Sequence, residues 1–67
     1  MQKTYTVMDA NNPENGRHLI CIYTPEATSK RYAVYRKWYD KGWHRKKLNS
    51  FNDYGNMMLY AKLYMQS

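Results

Sequence analysis

Cysteine occurs once in this chain of 67 residues, as Cys21, so no intrachain disulfide can form. Small secreted domains usually rely on such staples, and the setting expected from a lone thiol is reducing and cytoplasmic. Thiol and imidazole groups together number three, Cys21, His18 and His44. A structural zinc site needs four ligands at recognisable spacings, so no metal is expected. The three glycines, Gly16, Gly42 and Gly55, are scattered and form no phosphate-cradling loop, and no cofactor is expected either. Acids are scarce, five against eleven Lys and Arg. Asp9, Glu14, Glu26, Asp40 and Asp53 fall mostly where turns and helix caps call for them, and no carboxylate pair presents itself for acid–base work. His18 and Cys21 are three residues apart, hence on opposite faces of a strand, and cannot form a local base–nucleophile pair. The chain is therefore expected not to be an enzyme. No apolar run approaches the roughly eighteen residues that a membrane span requires, and the N-terminus lacks the apolar stretch of a signal peptide, so no membrane association is expected.

What the chain does hold is positive charge mixed with aromatic rings. Its formal net charge is +6, its pI near 9.6, and its aromatic share 16%. The mixture is concentrated in residues 30–48, which carry eight of the eleven basic residues and five of the eleven aromatics, with Asp40 the sole acid. Lys and Arg neutralise phosphates while Tyr and Trp lie against bases or sugars, so the partner class implied is nucleic acid, DNA or RNA. The competing reading is a solvated basic hairpin whose rings belong to the core. In a domain this small, large rings are also an efficient filling for a thin core.

The expected fold is α+β, a four-stranded antiparallel sheet of two hairpins followed by one C-terminal helix packed on one face, all within a single domain, 1–67. Strands are expected at 4–9, 17–24, 31–39 and 43–48 from β-branched and aromatic content. Asn15-Gly16 supplies the positive-φ pair of a tight first hairpin. The middle of the second strand, Leu19-Ile20-Cys21-Ile22-Tyr23, is apolar without alternation, as in a strand covered on both sides or at a subunit contact. Asp40-Lys41-Gly42 suits a three-residue loop, a type I turn with a G1 bulge. The helix is expected at 53–65, capped by Ser50 or Asn52, with a capping box between Ser50 and Asp53. Its apolar stripe is Tyr54, Met57, Met58, Ala61, Tyr64 and Met65.

A three-residue loop at Asp40-Lys41-Gly42 pairs Tyr39 with Trp43, Trp38 with His44, Lys37 with Arg45, Arg36 with Lys46, Tyr35 with Lys47 and Val34 with Leu48. Residues opposite one another share a face. Tyr32, Val34, Trp38, His44 and Leu48 then make the expected core face, with Arg36 and Lys46 near its edge. The other face carries Arg31, Ala33, Tyr35, Lys37, Tyr39, Trp43, Arg45 and Lys47. The candidate nucleic-acid-binding residues are Arg31, Tyr35, Lys37, Tyr39, Lys41, Trp43, Arg45 and Lys47. A two-residue loop at Lys41-Gly42 would instead pair Trp38 with Arg45 and Arg36 with Lys47. Both registers set cations opposite cations, a repulsion that a bound anion would relieve and that long side chains can also relieve by splaying apart.

Leu59 and Leu63 lie one helical turn apart, away from the apolar stripe, and form a candidate interaction patch for a homodimer or a protein partner. The alternative function is thus a small regulator or inhibitor that docks on an acidic partner, with the basic strip as steering surface. Length and composition also suit a phage or mobile-element accessory protein. A strand-rich sheet leading through Leu48-Asn49-Ser50-Phe51-Asn52-Asp53 into a C-terminal helix resembles the general plan of the small sheet-based DNA-binding domains of tyrosine recombinases and of plant AP2 domains. No motif of either family is matched, so no functional residue is carried over.

Overall fold

Four strands, β1 (Tyr5–Asn12), β2 (Arg17–Tyr23), β3 (Tyr32–Tyr39) and β4 (Trp43–Phe51), form one antiparallel sheet in the order β1-β2-β3-β4, and α1 (Tyr54–Gln66) lies across one face of it. The α+β architecture expected from the strand and helix patterns is the one observed in this computed structural model, which describes residues 2–66. Met1 and Ser67, the ends of the expected 1–67 domain, lie outside the described residues. Among the described residues no helix is long and apolar enough to cross a membrane.

The core is thin and lies between helix and sheet. Leu19 and Cys21 of β2, Val34 of β3, and Met57 and Ala61 of α1 are buried together, with Met8, Tyr32, Leu48, Phe51, Tyr60, Tyr64 and Met65 packed around them. Burial pushes the Cys21 thiol up to about 11, because a thiolate there would lose its hydration. Ile20 faces the opposite side of the sheet, as strand alternation requires, yet is only 8% exposed. Tyr35 stands directly across from it on β3, and Lys37 and Arg45 border the same shallow depression. Long side chains rather than a second helix cover β2 on that side.

Two β-bulges shape the sheet. One falls at Val7, between the pairs Thr6↔Ile22 and Met8↔Cys21. The other corrects the expected pairing of Val34 with Leu48: Tyr35 pairs with Lys47, but Val34 pairs with Asn49, leaving Leu48 as the inserted residue. The physical reason is the helix. Leu48 and Phe51 are three residues apart and would face opposite sides of a regular strand, whereas the bulge brings both to the helix side, where Phe51 meets Tyr60 with ring centroids 5.4 Å apart.

The same shift corrects the expected helix start. Ser50 is still strand, paired with Ala33, and β4 runs to Phe51. Asn52 is not the cap either, since its Oδ1 accepts a hydrogen bond from the Lys30 backbone amide. The cap is Asp53, whose Oδ2 accepts from the Asn56 amide at 3.0 Å. Of the expected stripe, Met57 and Ala61 are buried and Tyr64 and Met65 half-buried, while Tyr54 and Met58 remain exposed. Tyr60, outside that stripe, is half-buried against Phe51.

The first hairpin is longer than expected. β1 continues through Asn11 and Asn12, paired with His18 and Arg17, and the connection is a four-residue turn, 13–16, with Gly16 at φ +69°. Its asparagines serve both the turn and the helix. Asn12 Oδ1 accepts from the Glu14 amide and Asn15 Oδ1 from the Arg17 amide, while both side-chain amides donate to the Met65 carbonyl, at 3.3 and 2.9 Å. The turn thereby satisfies a carbonyl of the last helical turn and ties α1 to the first hairpin.

Candidate nucleic-acid interface

The β3–β4 hairpin has the register expected from a three-residue loop, with Tyr39↔Trp43, Trp38↔His44, Lys37↔Arg45, Arg36↔Lys46 and Tyr35↔Lys47. The loop itself departs from a type I turn with a G1 bulge. Positive φ begins one residue early, at Lys41 (+56°), and continues at Gly42 (+136°), and the Asp40 amide donates to the Gly42 carbonyl at 2.9 Å. His44 Nε2 is 2.8 Å from the Asp40 carbonyl and braces the loop from the side. Lys41 thus stands at the tip, held in a conformation that L-residues adopt at a cost.

On the face away from the helix, Tyr35, Lys37, Tyr39, Trp43, Arg45 and Lys47 lie together. Tyr39 and Trp43 are 67% and 61% exposed. The like-charged neighbours Lys37 and Arg45 splay in opposite directions, each onto a ring of the facing strand. Lys37 Nζ sits 4.5 Å from the Trp43 ring centre, and the Arg45 guanidinium 4.8 Å from that of Tyr35. Each such contact contributes about 0.5–1 kcal/mol at an exposed site and offsets the repulsion across the ladder. Tyr39 packs edge-on against Trp43 at 5.4 Å, and His18 of β2 approaches the same indole at 6.2 Å. The depression among Ile20, Lys37, Trp43, His44 and Arg45 measures about 280 Å³.

Arg31 does not join this strip. It precedes β3, and its Nε donates to the Ala27 carbonyl at 2.8 Å, which ties it to the β2–β3 loop.

The helix side of the hairpin differs from the core face expected there. Val34 is buried and Tyr32 half-buried, but Trp38 is 37% exposed, His44 is exposed, and neither belongs to the core cluster. Instead they stack on each other at 5.6 Å, with the Arg36 guanidinium 5.6 Å from the Trp38 ring. Lys46 completes this second group, directly across from Arg36. A helix of 13 residues is about 20 Å long, whereas strands of eight and nine residues reach roughly 26–30 Å, so one end of the sheet must project beyond it. That proportion was available in the sequence, but which end projects was not; the structure leaves the end with Arg36, Trp38, His44 and Lys46 uncovered.

Residues 35–47 therefore form an arm decorated on both faces. It carries Arg36, Lys37, Lys41, Arg45, Lys46 and Lys47 against one acid, Asp40. Among the described residues no carboxylate lies within ion-pair distance of any of these cations. The rest of the outer sheet face is different. Its β1 and β2 positions, including Asp9, Asn11, His18, Ile20 and Ile22, hold no lysine or arginine, and His18 Nε2 there lies 2.5 Å from Asp9 Oδ1, within hydrogen-bond distance.

Leu59 and Leu63 are 56% and 60% exposed, as expected from their position off the apolar stripe. Leu59 lines a groove of about 550 Å³ between α1 and β1 with Met8, Ala10, Met58 and Met65, and Lys62 stands at its side. Leu63 lies outside the lining.

Among the described residues no group of three His, Cys, Asp or Glu side chains is placed to hold a metal ion. No protein-family model, curated protein or solved structure matches the chain.

Proposed function

We propose that this protein binds nucleic acid non-enzymatically, in the cytoplasm, through the β3–β4 arm. The observation that carries the reading is the arm's set of six cations with no carboxylate partner among the described residues, held in a fixed register and oriented by ring contacts. Lys37, Arg45 and Lys47 contact phosphates, Lys41 meets the backbone at the tip, and Tyr35, Tyr39 and Trp43 fix the register. Arg31, tied to the Ala27 carbonyl at the base of the hairpin, adds long-range positive charge and, among the described residues, makes no contact within the strip.

Phosphate contacts release counterions, so affinity falls with salt at a log–log slope of about 3 to 5 for four or five phosphates. Replacing Lys37, Arg45 and Lys47 with Gln reduces the magnitude of that slope by about 2.7 and abolishes retention at physiological salt. Full binding by the triple variant, or wild-type binding indifferent to salt, overturns the proposal.

The groove beside α1 favours a second reading, a module that seats an apolar side chain of an acidic protein partner against Met8, Met58, Leu59 and Met65, with Lys62 on its rim. Under it, Leu59→Asp breaks partner capture in the groove, Leu63→Asp, outside the lining, breaks self-association through the exposed helix side, and both leave nucleic-acid affinity unchanged.

A further inference from the structure

Resting on that reading of the arm, we infer that its target is B-form duplex DNA, with the arm seated in the major groove. The first reason is that cations occupy both faces of the ribbon. Lys37, Arg45 and Lys47 point one way, Arg36 and Lys46 the other. A single strand lying along one face would leave the second set without phosphates, whereas an element inside a groove has a phosphate wall on either side. The B-DNA major groove is about 12 Å wide and admits a two-stranded ribbon, which the hairpin becomes at 37–45, beyond its last pairs with β2, Ile20↔Tyr35 and Leu19↔Arg36.

The second reason is the state of the rings. Single-strand binders present open aromatic faces on which bases stack. Here Trp43 carries Lys37 over its face and is flanked by Tyr39 and His18, Tyr35 carries Arg45, and Trp38 is stacked on His44 beneath Arg36. Trp43, Tyr35 and Trp38 thus each have one face taken by a cation, which leaves Tyr39, 67% exposed, as the one Tyr or Trp of the arm without a cation over it among the described contacts. Third, the outer face of β1 and β2 has no cation at its paired positions, so the charged footprint is two strands wide rather than a four-stranded platform. A-form RNA has a deep, narrow major groove that excludes such an element, which separates duplex DNA from duplex RNA.

The test is fluorescence anisotropy with a duplex of about 20 base pairs, one of its single strands, and the matching RNA duplex, at two salt concentrations. The duplex DNA is expected to bind at least roughly tenfold tighter than either alternative, with a slope near 4.5 for five phosphates. Arg36→Gln with Lys46→Gln weakens duplex binding as much as Lys37→Gln with Arg45→Gln, while Lys3→Gln with Lys30→Gln, the same charge lost outside the arm, changes it less than about twofold. Bulky substituents at pyrimidine C5, which fill the major groove and spare the phosphates, cost at least about tenfold. Equal or tighter binding to single strands or RNA, no effect of the Arg36/Lys46 pair, or tolerance of the C5 substituents overturns the groove assignment and leaves the arm as a nucleic-acid binder. Absence of binding to all three nucleic acids at the lower salt overturns the arm reading itself.

Discussion

The two ends of the β3–β4 hairpin are built on different principles. Where α1 crosses it, Tyr32, Val34, Leu48 and Phe51 meet an apolar helix face, and order comes from excluded water. Beyond the helix, Trp38, Tyr39, Trp43 and Tyr35 are held by cations and by one another, and nothing there is deeply buried. The same residue types thus do two jobs. An aromatic ring is core where a second layer covers it and a cation anchor where none does. A shared ladder joins the ends, so the covered half supplies the rigidity that keeps the exposed half in register.

The sharpest way to test that division is to compare truncations at the two ends. Met57→Ala removes a fully buried side chain and is expected to cost about 3 kcal/mol. That is a large fraction of the roughly 3–10 kcal/mol available to a domain of this size. Tyr39→Ala, at the arm, is expected to cost only about 1 kcal/mol despite the larger ring, because the side chain is 67% exposed and most of its surface is never withdrawn from water. Urea unfolding followed by far-UV circular dichroism measures both, and comparable losses would erase the distinction.

A smaller effect comes from the buried thiol. Cys21 has its pKa raised from 9.0 to about 11, so the unfolded chain loses this proton before the folded one does. The stability it contributes is complete below pH 9 and is lost as pH rises from 9 through 11, by an amount on the order of 2 kcal/mol. Cys21→Ala lowers the overall stability but flattens that alkaline decline. An unchanged slope in the variant, measured by thermal melts across this range, would assign the decline to other groups. The arm, which holds no cysteine, is expected to keep its salt-dependent binding in the variant wherever the domain is folded.

The smallest predicted effect lies at the tip. Lys41→Gly relieves a left-handed lysine, a cost of about 1–2 kcal/mol, but makes the unfolded chain more flexible by roughly 0.5–1 kcal/mol, for a net gain near 0.5 kcal/mol. Nucleic-acid affinity should fall a few-fold as one phosphate contact is lost. A gain in stability with no loss of affinity would take the tip out of the interface.

Much of the molecule was readable before any coordinates. Strand alternation, turn residues and helical spacing placed four strands and one helix within a few residues, and the Asp40-Lys41-Gly42 spacing gave the arm's register through Tyr35↔Lys47. Errors clustered where a second layer changes the local rule. The bulge at Leu48 exists because two residues of one strand must face the same helix, and the move of the cap from Ser50 or Asn52 to Asp53 follows from the longer strand. Arg31 was placed on the strip by alternation alone, whereas its bond to the Ala27 carbonyl depends on how the β2–β3 loop folds back.

The amino-acid sequence by itself determined the elements, the charge and the density of cations and rings in residues 30–48, because periodicity, turn chemistry and composition are local properties. Only the tertiary structure decided which rings are core and which stand in solvent. That outcome depends on where a helix of 13 residues ends above a longer hairpin, and burial is a property of the layer above a residue rather than of the residue itself.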